Sequence, residues 1–264
     1  MANRLSIIGL IGLIIVLSVD ARIDSRPFAR RRTHYKLDYE TILGAIGTPD
    51  CVKKCIDPFM KVISEVWDKS SVVDKAATLC KERAKALKCI KSQFMCDDKN
   101  GFATASKSLE MYCPKQKLFD ALRPCLKANL STVIDTCDDR CKIRYGVHKF
   151  THYDDVKLVS RLGGNMLTVA DHLGEICGFV TCGIKCIVEE LESKCGGITG
   201  FVGMVEVLLA PIESIAQGVD EMQPGMKLLI AARLDKKCHF FMSPTEVEKV
   251  RNFDFSGFNY VFKL

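Results

Sequence analysis

An all-α, disulfide-stapled multi-helix domain is the fold class this sequence predicts, and three observations predict it. Apolar residues recur at helical spacing along most of the 264 residues. The chain holds 14 cysteines, an even number, scattered along its length. Three pairs of them, Cys51/Cys55, Cys137/Cys141 and Cys182/Cys186, share the spacing of successive turns on one helix face. Cβ atoms of successive turns do not point at each other as a disulfide needs, so each pair is expected to bridge to neighbouring helices.

The first 21 residues read as a secretory signal peptide. Arg4 supplies the positive start, Leu5 to Leu17 the apolar run, and Val19 and Ala21 the small residues before a cut at Arg22. The apolar run is shorter than the roughly 20 residues of a membrane helix. No later segment reads as long and apolar enough to span a membrane. The expected location is therefore secreted and extracellular, with no membrane anchor. In such an oxidising compartment a scattered even set of cysteines is a disulfide framework, not a metal or redox set. Cys51, Cys55, Cys80, Cys89, Cys96, Cys113, Cys125, Cys137, Cys141, Cys177, Cys182, Cys186, Cys195 and Cys238 are all assigned to bridges, with their connectivity open.

The formal net charge is +6, of which residues 1–32 supply +4 and the rest +2. So nearly neutral a remainder gives no argument for nucleic acid.

Residues 22–47 form an N-terminal segment. Arg30-Arg31-Arg32 is either a processing site or a flexible basic stretch; Leu37, Ile42, Leu43 and Ile46 then outline a brief helix stopped at Gly47. The cysteine-rich helical domain is read as 48–242. Thr48-Pro49-Asp50 is a helix start, with Thr48 as cap and Pro49 in the first turn, where its missing N–H costs nothing. Pro58 predicts a kink or restart near Ile56-Asp57-Pro58. Residues 72–96 are expected to be helical, with Cys80 and Cys89 on opposite sides, and Asp97 to Gly101 to be a turn.

The stretch from Cys113 to Cys141 organises the chain. Leu126, Leu130, Val133, Ile134, Cys137 and Cys141 fall on one face at about 3.6 residues per turn. The only candidate division of the domain is a loop at 146–155. Residues 155–176 return to helical spacing. Farther on, Cys182 and Cys186 share one face while Cys177, Ile184, Val188 and Leu191 lie opposite, as in a central helix held from both sides, ending at Gly196-Gly197. Residues 201–218 are apolar and bent by Pro211, and another helix covers roughly 226–236. Residues 243–264 are read as a short helix and an aromatic tail. Ser243-Pro244-Thr245-Glu246 carries a capping-box pattern opening a short exposed helix. The tail, with Phe253, Phe255, Phe258, Tyr260 and Phe262, is either a short extended arm folded back on the domain or an exposed patch for association.

Catalytic readings find little support. None of His34, His148, His152, His172 and His239 sits in a His-Glu-x-x-His zinc motif, and there is no Gly-x-Ser-x-Gly elbow. Asp171-His172 before Cys177 faintly resembles secreted phospholipases A2, but their Cys-Cys-x-x-His-Asp helix and glycine-rich calcium loop are absent. His152, Asp154 and Asp155 are better read as a solvated loop than as metal ligands. No catalytic residue, metal site or cofactor is assigned. Asn129-Leu130-Ser131 is an N-glycosylation acceptor, with Asn129 about 100° from the centre of the apolar face. Ser256-Gly257, preceded by Asp254, is the only Ser-Gly and a weak candidate for glycosaminoglycan attachment.

Cys51-Val-Lys-Lys-Cys55-Ile-Asp-Pro-Phe, Leu118-Phe-Asp-Ala-Leu-Arg-Pro-Cys125-Leu and the Cys137/Cys141 and Cys182/Cys186 pairs together resemble the nematode chondroitin proteoglycan 4 domain, over roughly residues 50–240. The resemblance implies a secreted, disulfide-bonded module without known enzyme activity, associated in its type member with chondroitin-bearing extracellular matrix. A chondroitin core protein would offer several Ser-Gly sites, and this chain offers Ser256 alone. The expected function is a non-enzymatic structural or binding glycoprotein whose partner is a matrix component. The alternative is a carrier of small apolar ligands or lipids, suggested by the apolar 201–218 segment.

Overall fold

A computed structural model describes residues 35–69, 72–93, 96, 101–220, 223–238, 243–252 and 254. The stretch read as a signal peptide, Arg30-Arg31-Arg32, His34, residues 97–100 of the expected turn, His239, Ser256 and the aromatic residues of the tail lie outside the described residues, and Gly101, expected to end that turn, is helical. The described chain is helical, with no strand among them. Its elements are α1 (Tyr39–Ala45), α2 (Asp50–Lys69), α3 (Val72–Ser92), α4 (Gly101–Ala105), α5 (Lys107–Tyr112), a 3₁₀ segment (Cys113–Phe119), α6 (Arg123–Cys141), α7 (Ile143–His152), α8 (Asp154–Arg161), α9 (Met166–Cys195), α10 (Phe201–Asp220), α11 (Pro224–Arg233) and α12 (Pro244–Arg251).

The first two helices form much as their residues dictate, with two corrections. Asp38 caps α1, its carboxylate accepting from the Thr41 N–H at 3.0 Å. Gly47, at φ 71°, turns the chain out of the helix. Thr48 does not cap α2, because its hydroxyl is buried without a partner. Nor does Pro58 restart α2, which runs unbroken from Asp50 to Lys69. Val52, Ile56, Phe59, Met60, Ile63 and Trp67 along its whole length are buried. That packing outweighs the cost of about 3 kcal/mol for an internal proline. α10 likewise continues through Pro211. The Trp67 indole donates to the Tyr35 carbonyl at 2.7 Å and ties the incoming chain down.

α2 and α3 pack as an antiparallel pair, and α3 stops at Ser92, so Cys96 lies beyond the helix. At the centre is α9, 30 residues long. α6, α7, α8, α10 and α11 all contact it. Ile176, Val180, Ile184, Val188 and Leu191, among others, bury it on several sides. By length and composition Leu167–Cys195 is apolar enough to cross a membrane, which corrects the reading that no later segment is. Its apolarity is directed into the core, with 56% of the window buried.

An expected loop and an expected helix are both recast by sharp turns. No loop occupies 146–155; α7 fills that stretch, and only Tyr153, in an extended conformation, separates it from α8. The real break before it is Lys142, a left-handed residue at φ 57° that ends α6. The Asp138 carboxylate then accepts the Arg144 N–H at 2.8 Å. The helix expected over 155–176 is two helices, divided at Gly163 and Gly164 with φ 91° and 90°. Leu162 and Leu167, apolar residues within that stretch, are exposed on either side of the break. After that turn the Asn165 side chain caps α9, its Oδ1 accepting from the Leu167 N–H at 2.9 Å, while the Asn165 backbone N–H donates to the Ala45 carbonyl at 3.0 Å.

α12 is docked, not exposed. Val247 is buried, and Arg251 pairs with Glu206 and Glu213 of α10 as well as with Glu248. The capping box does not form: the Ser243 hydroxyl meets Thr245 Oγ1 at 2.8 Å, and the Glu246 N–H donates to the Ser243 carbonyl.

All 14 cysteines are paired. Cys51–Cys96, Cys55–Cys89 and Cys80–Cys113 lie within residues 51–113. Cys125–Cys195, Cys137–Cys186, Cys141–Cys182 and Cys177–Cys238 lie within 125–238. No disulfide joins the two sets. One continuous buried core does. Cys137 and Cys141 of α6 meet Cys186 and Cys182 of α9 as a nested double clamp between antiparallel helices. Cys177 faces away from the clamp and holds Cys238.

Candidate binding site

Between the two disulfide sets lies a cavity of about 210 Å³. Its wall is built from the inward stripes of α2, α3, α5, α6 and α10, including Ile56, Phe59, Leu79, Leu130, Ile134 and Leu208. The few wall residues with a polar side-chain group are Thr48, Ser106, Ser108, Tyr112 and Arg123. Arg123 stands at the exposed rim, paired with Asp120 at 3.0 Å. Lys127 and Asp74, at 3.0 Å, link α6 to α3 beside the wall residues Leu126 and Val73.

One side of this wall is pinned by Arg83, whose side chain is 11% exposed. Its Nε donates to the Ser106 carbonyl at 3.1 Å and hydroxyl at 2.9 Å, and Nη2 reaches Glu110 at 2.9 Å. Burial lowers the guanidinium pKa, partly offset by Glu110. The Glu110 carboxyl is held below its usual range, first by Lys107 and then by Arg83. Sequence reading missed this constellation. Nothing local marks Ser106, Ser108 or Arg83, and Thr48 read as a cap.

A second polar group gathers where α7, α8 and α9 meet. His172 Nε2 contacts Asp155 Oδ2 at 2.8 Å, and Tyr153 stacks on the His172 ring at 4.2 Å. The Tyr153 hydroxyl donates to Glu175 at 2.9 Å, and Lys149 reaches both Glu175 oxygens at 2.9 and 3.0 Å. His148 lies between Tyr35 and His152, with ring centroids 4.8 and 3.9 Å away. His152, Asp154 and Asp155, read together as a loop, are therefore divided between α7 and α8. Asp155 faces His172 and His152 faces His148. Among the described residues no three His, Cys, Asp or Glu side chains are placed to share a metal ion.

This junction sets a pH dependence. Burial first, then the charges of His152 and Lys157, lower the His148 pKa from its ordinary 6.5. The His172 contact lowers Asp155, and Lys149 lowers Glu175. A lowered histidine stabilises the fold above its unfolded pKa and loses that contribution as pH falls from about 6.5. The carboxylates follow with the same sign below their ordinary 3.8 and 4.5. The urea midpoint is expected to fall between pH 7.5 and 5.5, and to fall less in His148→Gln. An unchanged wild-type midpoint over that range contradicts the assignment.

Asn129 is half-buried on α6. Its Nδ2, the atom that would carry the sugar, donates to the Cys125 carbonyl at 3.0 Å and approaches Cys125 Sγ at 3.4 Å. Glycan addition therefore requires that this amide swing out, or that the sugar arrive before α6 closes.

These parts define a class: a cysteine-rich, disulfide-stapled, all-α protein with an apolar cavity, of the kind that oxidising compartments hold. The chondroitin proteoglycan 4 family profile matches residues 40–259, most of the chain, and the chain belongs to that family. The match extends beyond both ends of the 50–240 stretch that carries the resemblance in the sequence. Comparison with curated proteins found no match, and neither did comparison with solved structures.

Proposed function

We propose that this chain is a secreted, non-enzymatic structural or binding protein of the extracellular matrix. The carrying observation is the complete pairing of 14 cysteines into seven bridges on a protein that already has a sizeable core. Such staples add durability outside the cell, where thiols stay oxidised. Family membership supports the same setting. At the α7–α8–α9 junction the histidine and carboxylates are spent on one another, which is how a structural network uses them. The test is fractionation of the expressed protein, with gel and intact-mass analysis before and after chondroitin lyase. A sharp species in medium or matrix, unchanged by lyase, is expected. Retention inside cells overturns the secreted reading, and collapse of a diffuse heavy species makes Ser256 a chondroitin site.

The cavity favours a second reading, a carrier of small apolar ligands or lipids. Its test is the urea midpoint measured in toluene, a body small enough for a cavity of about 210 Å³, with a rise expected on binding. No rise at saturating toluene overturns it.

A further inference from the structure

We infer that α3 presents a cationic track for a linear sulfated polysaccharide, carried by Lys81, Lys85, Lys88 and Lys91. This rests on the proposed extracellular matrix role and adds the partner's chemistry to it. The charge is local: α3 alone carries a net +4, against +2 for all of residues 33–264. Its other charges are spent on neighbouring helices. Lys75 meets Glu65 at 2.8 Å, Arg83 meets Glu110 at 2.9 Å, and Asp74 meets Lys127 at 3.0 Å. Glu82 takes Lys85 at 2.7 Å. Among the described residues, Lys81, Lys88 and Lys91 have no carboxylate partner.

The helix sets these charges in one row. At about 100° per residue, Lys81, Lys85 and Lys88 fall within a sector of roughly 60°, opposite the buried Ala76, Leu79, Ala86 and Ile90. Lys91 extends the row to about 15 Å from Lys81. From Ala77 to Ser92 the exposed side chains are lysine, alanine, threonine and serine, with no carboxylate among them. Helix propensity does not call for one sign of charge. Glutamate ranks with lysine, and a Glu–Lys pair at i,i+4 would add stability where Lys81 and Lys85 repel. Disulfides pin both ends of the row, Cys80–Cys113 beside Lys81 and Cys55–Cys89 beside Lys88. A row fixed in this way has little backbone freedom left to lose on binding.

The partner's class follows from what the row carries and what it lacks. Lysines spread along a straight line complement a chain of anions better than one small anion, which needs donors that converge. A lipid surface calls for apolar side chains beside the charges. Every large apolar side chain exposed among the described residues lies off α3. Single-stranded nucleic acid calls for aromatic platforms on which bases stack, and α3 has no aromatic residue. Outside the cell, sulfated polysaccharides are the linear polyanions that remain.

The experiment is binding of fluorescein-labelled heparin to the full disulfide-bonded protein, read by anisotropy across a salt series. Lys81→Gln/Lys85→Gln/Lys88→Gln removes three charges from the row. All three side chains are exposed and glutamine keeps the helix propensity, so the fold is retained. Lys115→Gln/Lys117→Gln/Lys236→Gln removes the same charge from exposed sites elsewhere. The first variant is expected to bind about tenfold more weakly, with a shallower salt dependence, and the second less than about twofold more weakly. Unlabelled heparin is expected to compete better than desulfated heparin or a DNA duplex. No binding by a secreted protein, equal weakening in the two variants, or competition by desulfated heparin or the duplex as good as heparin's overturns the inference and leaves the matrix role standing. Retention of the protein inside cells in the fractionation test overturns both.

Discussion

Removing both bridges of the α6–α9 clamp, by serine at Cys137, Cys141, Cys182 and Cys186, is expected to cost more than twice the loss of either. The bridges are nested, closing loops with sequence separations of 41 and 49. With one intact, the other closes only a small ring of roughly ten residues, an entropic contribution of about 2.5 kcal/mol. With both gone, the long loop is released as well, and the joint loss is about 6.5 kcal/mol. That is comparable with the whole stability of many domains, so the quadruple variant is expected to be retained or degraded before secretion. Each double variant, lacking one matched pair, should be secreted with a lowered urea midpoint. The measurement is secreted yield together with that midpoint. Strictly additive losses would show that the two bridges do not share a loop.

The second large effect is expected at Gly164. Its φ of 90° is a left-handed conformation that costs a side chain about 1–3 kcal/mol. A Cβ there would also lie 2.2 Å from the Gly47 nitrogen and 2.8 Å from the Gly44 carbonyl oxygen, both backbone atoms. Those neighbours cannot rotate away, so α1 and the α8–α9 turn must separate, breaking the Asn165–Ala45 hydrogen bond. Gly164→Ala is expected to lose about 4 kcal/mol in all. Gly163 has the same sign of φ, but a Cβ there meets nothing within 4 Å. Gly163→Ala should therefore lose only about 1 kcal/mol. Urea titration of the two variants separates the terms, and equal losses would show that the close approach is not what matters.

Much of this architecture is legible in the residues. Cys182/Cys186 and Cys177 on opposed faces of an apolar run specify a helix held from two sides, and α9 is that helix. The departures have physical causes. Pro58 and Pro211 are helix breakers by local rule, yet burial along α2 and α10 overrides them. The spacing from Val156 to Leu173 stays helical across Gly163-Gly164, so periodicity did not register the turn. The cavity was the least legible part. Its wall residues are ordinary core positions, and a void between facing helices has no local signature. Two of its polar residues misled in different ways: Thr48 by its place before a proline, Ser108 by its ordinariness.

The division of the bridges into two sets has a consequence for biosynthesis. Every cysteine among residues 51–113 finds its partner within that stretch, so the first three bridges can close while the rest of the chain is still being made. Cys125 must then wait for Cys195, synthesised 70 residues later. During that interval Cys137 and Cys141 also emerge as unpaired thiols. Their spacing on one helix face disfavours a bridge between them, so they stay available until α9 arrives to meet them.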